Sequence, residues 1–470
     1  MSEEPEVKEA SSSASEAGAK RRREARKRDP TDSAPSGITE LAASGYKSIV
    51  GFHSIEIRPL TILAGANGSG KSNIIQPLLL LKQTLEASYD PGPLMLEGPN
   101  VTFTSASQFF SSLGNRRFAE TFVAGIGIGS DIRVALAFKR DPKEGIQIHE
   151  MSFAQGRVRR KLRPEMKSAE LESCFPAITK KWIEALGEWQ PGDSTAKRRP
   201  EDSVTLRLQR NRCFLEFVVR YEPAGEFATG FPMARAGDEI RRLIHVPGPR
   251  GNAERTYPVA GVDGAFPGTF EKYVASVIAR WQAEDKNKLE ALSQALDTLG
   301  LACRIVARPV GETQIELKVG RMARGKGEDE NDLVSVADAG SGVSQTLPAL
   351  VALLAAEPGQ AVYLEEPGIH LPPRAQAQMA GILAEAAVRG VRVIAETRSS
   401  ILLRSIQTLV TTGKLPPELV KLHWFTRKPA DGSTQIHSAD LGKPDAFDNC
   451  PADFDEAPLE TRPPGGVSGG

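Results

Sequence analysis

The chain has 470 residues, 40% of them hydrophobic and 25% charged, a balance typical of globular proteins and a length that favours more than one domain. This composition excludes a membrane protein, a collagen and a fully disordered chain. Lys and Arg total 59 and Asp and Glu total 59, so no global field draws the chain onto nucleic acid or an anionic bilayer.

The cysteines and the apolar segments indicate a cellular compartment. Cys174, Cys213, Cys303 and Cys450 show no CxxC or CxxH spacing, so reduced thiols are expected. The N-terminus has no apolar signal-peptide core, and the most apolar stretch, 347–356, is far shorter than the roughly 20 residues that cross a bilayer. A soluble, cytoplasmic protein is expected.

The first ordered part of the chain begins near Ile38. Three apolar runs separated by Gly and Pro predict strands, and the third, from Leu60 to Ala64, is continuous enough for a buried parallel strand. A helix is predicted after Ser72, with Pro77 in or just past its first turn, where proline is tolerated.

The middle of the chain has a different pattern. Short alternating runs such as DIRVALAF and CFLEFVVRYE predict antiparallel strands. Two helical stretches are predicted, near 177–187 and 269–299. The basic runs at 157–163 and 197–200 either contact nucleic acid or, as is more usual, lie in solvated loops.

The last third returns to alternating strands and helices. A helix from about Val343 to Ala356 precedes the strand AVYLEE, and a second helix, the strand VRVIAET and a third helix follow. Such alternation predicts a parallel sheet with helices on both faces. The predicted fold is therefore α/β, with a mainly parallel core sheet, an antiparallel β part and a long insertion. The predicted division is a disordered basic tail (1–36), the first part of a head (37–100), an insertion or lid (101–330), the second part of the head (331–456) and a disordered tail (457–470).

The strongest motif is GANGSGKS, which matches G-x-x-x-x-G-K-[ST] between an apolar strand and an apolar helix. Its glycines let the backbone wrap a phosphate, and its amides form an anion nest at a helix N-terminus. Lys71 is predicted to reach the β and γ phosphates, and the Ser72 hydroxyl to ligate Mg²⁺. The predicted nucleotide contacts are Gly65, Asn67, Gly68, Ser69, Gly70, Lys71 and Ser72.

A second motif, AVYLEEPGIHLPP, ends a strand in two adjacent carboxylates. Because neighbouring side chains on a strand point to different faces, one can serve a metal while the other faces the attacking water. We assign Glu365 to Mg²⁺, directly or through water, and Glu366 to the water. A solvated acidic turn is the alternative.

A third motif, DAGSGVSQTLPALVALL, places small residues at a helix N-terminus, which favours an anion. Ser341, with Gly342, is the predicted γ-phosphate contact. Ser344 and Gln345 are competing candidates, and a plain helix cap explains the same residues.

In this order the motifs resemble the ATP-binding-cassette branch of P-loop ATPases, which includes the SMC, RecF and OLD-like proteins. Walker A corresponds to 65–72, a degenerate signature to about 340–345, Walker B to 361–366 and a D-loop to 370–373. The closest likeness is to compact bacterial AAA-type members found in phage-defence and DNA-maintenance loci. The resemblance implies binding of ATP and Mg²⁺, a nucleotide-dependent homodimer, and action on DNA or on a partner effector.

The chain departs from the family pattern where a His usually follows the strand after Walker B. Arg398 stands there; it either contacts the γ-phosphate, as we predict, or only covers the end of the sheet. The glutamine of the Q-loop, a further metal ligand, is assigned to Gln108 rather than to Gln83. His370, in the D-loop region, either faces a dimer partner or is bound by water.

Two functional readings remain open. The first is an ATP hydrolase that dimerises on nucleotide and controls a partner. The second is an ATP-gated scaffold with negligible turnover, in which Arg398 holds the engaged state. A P-loop kinase and a membrane-transporter ATPase are less favoured, because no acceptor lid is visible and transporter cassettes lack so long an insertion.

Overall fold

The computed structural model describes residues 37–446 except positions 113–117, 142, 144, 175–203, 222–224, 229–232, 249, 252, 263, 321–331 and 444–445. The two predicted tails, the predicted helix at 177–187, the basic run at 197–200 and Cys450 lie outside the described residues.

The strands and α-helices follow one another along the chain in three groups. The first group is β1 (Ile38–Ser44), β2 (His53–Glu56), β3 (Leu60–Ala64), α1 (Gln76–Glu86), β4 (Thr121–Ile128), β5 (Ile132–Asp141), β6 (Gly145–Gln155), β7 (Val158–Leu162) and α2 (Ser168–Cys174). The second is β8 (Val204–Asn211), β9 (Phe214–Tyr221), β10 (Gly225–Ala228), α3 (Ala234–Arg242), β11 (Ile244–Val246), β12 (Tyr257–Pro258), α4 (Val274–Glu284), α5 (Lys286–Thr298), β13 (Arg304–Val310), β14 (Gln314–Gly320) and β15 (Leu333–Ser335). The third is α6 (Ser341–Ala355), β16 (Ala361–Glu365), α7 (Pro373–Val388), β17 (Arg392–Thr397), α8 (Ser400–Thr411), β18 (Val420–Arg427) and β19 (Thr434–Ala439).

A six-stranded sheet in the order β11-β16-β17-β3-β18-β19 forms the centre of the molecule. Its first five strands are parallel, and only β19 runs antiparallel. Every residue of β3 and of β17 is buried, as expected of parallel strands covered on both faces. The predicted α/β fold with a mainly parallel core sheet is confirmed.

Different layers cover the two faces of the central sheet. Leu60 and Ile62 of β3 belong to an apolar cluster that contains the buried faces of α4 to α8. Leu63, whose side chain points the opposite way, belongs to a second cluster with α1 and strands β1, β4 and β5. The alternation along one strand therefore divides the core into two parts on either side of the sheet.

Antiparallel strands form three further sheets. The largest has the order β2-β1-β4-β5-β6-β7; the others are β10-β9-β8 and β12-β14-β13, with β15 added to β14. The pairing crosses the predicted domain boundaries, because β1 pairs with β4 and β11 joins the central sheet beside β16. The division at 100 and 331 remains a prediction from composition that the sheets do not follow.

The helix predicted over 269–299 is two helices. The backbone leaves helical geometry at Asp285, with φ −139° and ψ 77°, where α4 ends. The Asp285 carboxylate then accepts a hydrogen bond from the Lys288 amide at 3.2 Å and caps α5, as an N-terminal aspartate does. The apolar residues keep their helical spacing across Asp285, so the sequence pattern did not indicate the break.

Strands β18 and β19 form an antiparallel hairpin. Strand β18 pairs in parallel with the P-loop strand, with Val420 opposite Leu60 and Trp424 opposite Ala64. Most residues of β18 are buried. The hairpin is therefore part of the core sheet and lies directly beside the glycine-rich loop.

Two expectations from the sequence concern the cysteine thiols and membrane-spanning segments. Cys174, Cys213 and Cys303 are free of disulfides, and burial raises the pKa of the Cys213 thiol to about 12. Within the part of the chain that the structure describes, no helix combines the length and apolarity needed to cross a membrane.

Candidate nucleotide site

The glycine-rich loop leaves the carboxyl end of β3 and needs glycine at two points of close approach. Gly65 has φ +154° and Gly70 has φ +100°, values that side chains rarely adopt. A Cβ at Gly65 would fall 2.4 Å from the Phe425 carbonyl oxygen, and one at Gly70 would fall 2.1 Å from Thr434 Oγ1. The β18–β19 hairpin thus fits the loop closely enough to require these glycines.

Donors from the hairpin hold the carbonyls of this loop. Thr434 Oγ1 donates to the Ser69 carbonyl at 2.9 Å, and Arg427 Nε donates to the Gly68 carbonyl at 2.6 Å. Sequence reasoning did not assign either residue, because only the parallel register of β18 brings them to the loop. The loop conformation is therefore fixed from outside the motif.

Lys71 folds its side chain back into the loop. Its Nζ donates to the carbonyls of Gly65 at 2.9 Å and Ala66 at 3.1 Å, and it lies 4.0 Å from Glu396 Oε1. The side chain is only 4% exposed. A buried ammonium with these partners is poised to exchange carbonyl contacts for phosphate oxygens.

Glu396, at the end of β17, is the residue that sequence reasoning missed. Its Oε1 accepts a hydrogen bond from Ser72 Oγ at 2.9 Å, and its Oε2 accepts one from Tyr363 Oη at 2.6 Å. Burial raises the pKa of this carboxyl above its usual value, an effect that the contacts with Tyr363 and Lys71 oppose. Sequence reasoning assigned only Arg398 in this region, although VRVIAET places an acid one residue before the end of the strand.

The adjacent Glu365 and Glu366 have different surroundings, because Glu365 is the last residue of β16 and Glu366 lies in the turn that follows. The Glu365 carboxylate contacts His245 Nε2 at 3.1 Å and accepts from the Gly248 amide at 3.0 Å. These contacts, with His245 first among them, outweigh burial and lower the pKa of Glu365. Both oxygens of Glu365 thus have a partner in this conformation.

Glu366 occupies the turn after β16 in a left-handed conformation, with φ +46°. Its amide donates to the Glu396 carbonyl at 2.8 Å, and its Oε2 accepts weakly from the Arg398 amide at 3.4 Å. Burial raises its pKa, while Lys71 and Arg398 act in the opposite direction. A carboxyl of this kind accepts a proton more readily than an exposed glutamate.

The side chains present fit a magnesium nucleotide. Ser69 Oγ is buried and has no hydrogen-bond partner, and the Ser72 hydroxyl and the Glu396 carboxylate adjoin as oxygen donors. No cluster of three or more His, Cys, Asp or Glu residues suited to a metal occurs among the described residues. Mg²⁺ commonly uses only one or two protein oxygens, with phosphates and waters completing its shell.

The other predicted site residues differ in their exposure and in their hydrogen bonds. Gln108 accepts hydrogen bonds from the amides of Thr104 and Ser105 and so caps its own turn; its metal role stays a prediction. Ser341 is exposed as the first residue of α6, whereas Gln345 is buried. Gln345 donates to the carbonyls of 250 and 251, which removes it as a phosphate competitor in this conformation.

Arg398 and His370 mark the rim of the site. The Arg398 side chain is exposed just beyond β17, while its backbone amide contacts Glu366. His370 has φ +61°, and its carbonyl oxygen lies 3.9 Å from the position of a Cβ on Gly342. The D-loop and the start of α6 are thus neighbours. The γ-phosphate roles of Arg398, Ser341 and Gly342 stay predictions.

Replacing Glu396 by glutamine is expected to raise the Mg²⁺ concentration for half-maximal ATP binding about tenfold, because a charged partner of the Ser72 hydroxyl is lost. Titrating Mg²⁺ at fixed ATP in a calorimeter measures this. Glu385→Gln, on the exposed surface of α7, is the matched control and should leave the titration unchanged. Equal midpoints for both variants would remove Glu396 from the metal site.

A family model matches most of this chain. It is described as "AAA domain, putative AbiEii toxin, Type IV TA system" and covers residues 60–131 and 197–404, more than half of the sequence. The matched ranges include Lys71, Glu365, Glu366 and Glu396. No curated protein matches the chain.

Solved SMC head domains resemble the structure. An SMC head bound to the C-winged helix domain of ScpA has a TM-score of 0.42 and 14% identity, over 86% of this chain and 98% of that chain. The SMC head domain from Thermotoga maritima has a TM-score of 0.38 and 15% identity, over 86% and 99%. An Smc head with an extended coiled coil, bound to the C-terminal domain of ScpA from Pyrococcus furiosus, has a TM-score of 0.41 and 13% identity, over 86% and 96%.

Proposed function

The chain belongs to this AAA-domain family, and on that premise we propose that it binds ATP with Mg²⁺, dimerises on the nucleotide and hydrolyses it. Its role would be in DNA maintenance or phage defence, where the nucleotide state controls a partner effector. The family description, which names a toxin of a type IV TA system, is compatible with an effector of this kind.

One observation carries the proposal. Glu396 lies near the carboxyl end of β17, and Lys71 and Glu366 follow the carboxyl ends of the adjacent parallel strands β3 and β16. Lys71 Nζ is 4.0 Å from Glu396, and the Glu366 amide is bonded to the Glu396 carbonyl. Ligands of open α/β sheets bind at such carboxyl edges. A phosphate-binding cation and a carboxylate of raised pKa therefore share one edge.

Each side chain has a separate task in hydrolysis. Lys71 would leave the loop carbonyls and neutralise phosphate oxygens. Glu366 would orient the attacking water and accept its proton, while Ser72, with Glu396 behind it, would hold Mg²⁺. The bound metal would supply charge neutralisation between the phosphates. Glu365 would position this apparatus through His245, and Arg398 would contact the γ-phosphate from the rim.

The proposed dimer rests on the start of α6. Ser341 is exposed at a helix N-terminus, where backbone amides attract anions, and it lies beside the D-loop residue His370. A second copy would present its own nucleotide to this edge. The γ-phosphate would then join two copies, and hydrolysis would release them.

An ATP-gated scaffold with negligible turnover is the second candidate. It is favoured by Arg398, which stands where the related ATPases carry a His and cannot exchange a proton at neutral pH. Such a protein would bind ATP and dimerise without releasing phosphate. Turnover therefore separates the candidates.

The test combines phosphate release with light scattering on the wild-type chain. ATP and Mg²⁺ should convert a monomer into a dimer, and phosphate release per chain should rise with protein concentration. A nucleotide-stabilised dimer without phosphate release would favour the scaffold. A monomer at all ATP concentrations would contradict the proposed dimerisation.

A further inference from the structure

A buried arginine in the loop after β11 connects two parts of the site. Arg250 is 7% exposed. Its Nη2 donates to the Glu365 carbonyl at 2.8 Å, and its Nη1 donates to the Gln345 carbonyl on α6. One guanidinium thus bridges the end of the β16 strand and the first turns of the helix that begins at Ser341.

The bond to Glu365 acts on Glu366. The Glu365 carbonyl and the Glu366 amide belong to one peptide group. Arg250 holds the carbonyl, and the Glu396 carbonyl holds the amide at 2.8 Å. This peptide leads into the left-handed conformation of Glu366, which persists only where surroundings over-determine it. Arg250 is therefore one of the contacts that hold the backbone from which the Glu366 side chain extends.

The bond to Gln345 is reciprocal. The Gln345 side-chain amide donates back to the Arg250 carbonyl at 2.9 Å and to the Gly251 carbonyl at 3.1 Å. Both residues are buried. Gln345 lies about one helical turn from Ser341, so a displacement of the helix start would move the loop and the guanidinium together.

Burial of the Arg250 guanidinium costs free energy that a purely structural contact would not require. Among the described residues, the buried Arg250 Nε has no hydrogen-bond partner, and neither has Oε1 of Glu271. The charge of Glu271 nevertheless acts on the Arg250 guanidinium. Desolvation lowers the pKa of Arg250 to about 10. Buried charges of this kind are weak sources of stability compared with apolar packing.

We propose that Arg250 is a positioning residue that transmits engagement of the α6 N-terminus to Glu366. Binding of a second copy's nucleotide at Ser341 would shift α6, and the clasp with Gln345 would carry that shift to the Glu365–Glu366 peptide. Hydrolysis would then start only in an engaged dimer. This inference rests on the proposed function and deepens its regulation.

The test uses Arg250→Lys, which keeps the charge but cannot bridge both carbonyls in the same planar geometry. Phosphate release at saturating ATP should fall about tenfold or more, and its rise with protein concentration should flatten, while ATP affinity stays within about twofold. Arg389→Lys is the matched control, because Arg389 donates to a carbonyl at the other end of α6, that of Leu353 at 2.8 Å. It should retain both the rate and its concentration dependence.

A double-mutant cycle separates coupling from general damage. Gln345→Met keeps the volume and removes the two bonds from the side-chain amide to the carbonyls of 250 and 251, which leaves only the Arg250 bond to the Gln345 carbonyl. It should therefore slow phosphate release and flatten its rise with protein concentration. The double variant should be no slower than the slower single variant, since both substitutions weaken the same contact between Arg250 and Gln345. Multiplying defects, or a rate that still rises with concentration in Arg250→Lys, would overturn the proposal. Thermal unfolding shows whether Arg250→Lys folds. If it does not fold, the dependence of phosphate release on protein concentration in Gln345→Met decides between the outcomes.

Failure of this inference is distinct from failure of the proposed function. A wild-type chain that releases no phosphate would refute the hydrolase itself. A wild-type chain that is active and stimulated by concentration, together with an equally stimulated Arg250→Lys, would refute only the coupling.

Discussion

Glu366→Gln is expected to lower phosphate release by about 100-fold or more while ATP affinity changes by less than about twofold, because general-base catalysis contributes factors of this size and the amide cannot accept a proton. The substitution preserves the shape of the side chain and an oxygen for the Arg398 amide. Steady-state phosphate release and calorimetric ATP binding measure the two quantities. The ATP-bound dimer should also accumulate, as light scattering would detect.

The control for this variant is Glu357→Gln, at an exposed glutamate paired with Arg242 near the opposite end of β16. Its rate should match the wild type. Equal rates for wild type and Glu366→Gln would contradict the assignment of Glu366 and favour the scaffold.

The pH profile gives a second measure of Glu366. Since burial raises its pKa above the ordinary 4.5, the carboxylate needed as a base is lost at a higher pH than for an exposed glutamate. The rate should fall as the pH decreases through this raised pKa and recover above it. Glu366→Gln should lose this acidic limb along with most of the rate.

Local patterns were sufficient for the phosphate loop and for the strands around it. GANGSGKS follows a five-residue apolar run, and the structure shows that run as the buried strand β3. The match to the AAA family confirms the P-loop resemblance. These features are local because glycine spacing and strand burial are encoded within a few adjacent residues.

Glu396 was missed for a non-local reason. Its place beside Ser72 depends on the register between β17 and β3, which sets Glu396 opposite Leu63. Nothing within VRVIAET specifies that register. The same limit applies to Thr434 and Arg427, which reach the loop only because β18 pairs with β3.

Glu365 illustrates a different limit. Its position at the end of a strand predicts a carboxylate that serves Mg²⁺ directly or through water, and that role stays a prediction. The contacts of this carboxylate with His245 and the Gly248 amide were not predicted. His245 comes from β11, more than 100 residues earlier in the chain, and sequence spacing does not indicate this neighbour. The predicted alternation of the two glutamates did not identify the partner of either, and Glu366 lies in the turn after β16.

Lys71→Met is expected to weaken ATP binding by about 100-fold or more, since charge-assisted hydrogen bonds contribute about 1.5 to 3 kcal/mol each and the loop would lose two or more with the phosphates. Methionine keeps the length of the buried side chain. The loss would also leave the Glu396 carboxylate without the cation now 4.0 Å away, so its pKa should rise further and Mg²⁺ should bind less well. Calorimetric titration of ATP with Mg²⁺ measures both effects.

Lys421→Met is the control for Lys71→Met. Lys421 is also largely buried, at 12% exposure, and it pairs with Asp440 at 2.8 Å on β18, towards the opposite end of the sheet from the loop. Without nucleotide, Lys71→Met should unfold at a lower temperature than the wild type, because the Glu396 carboxylate and the carbonyls of Gly65 and Ala66 lose their contacts with the ammonium. ATP should then raise the unfolding temperature of wild type and Lys421→Met, because a ligand that binds only the folded state stabilises it. A similar rise in Lys71→Met would mean that ATP binds elsewhere than in this loop.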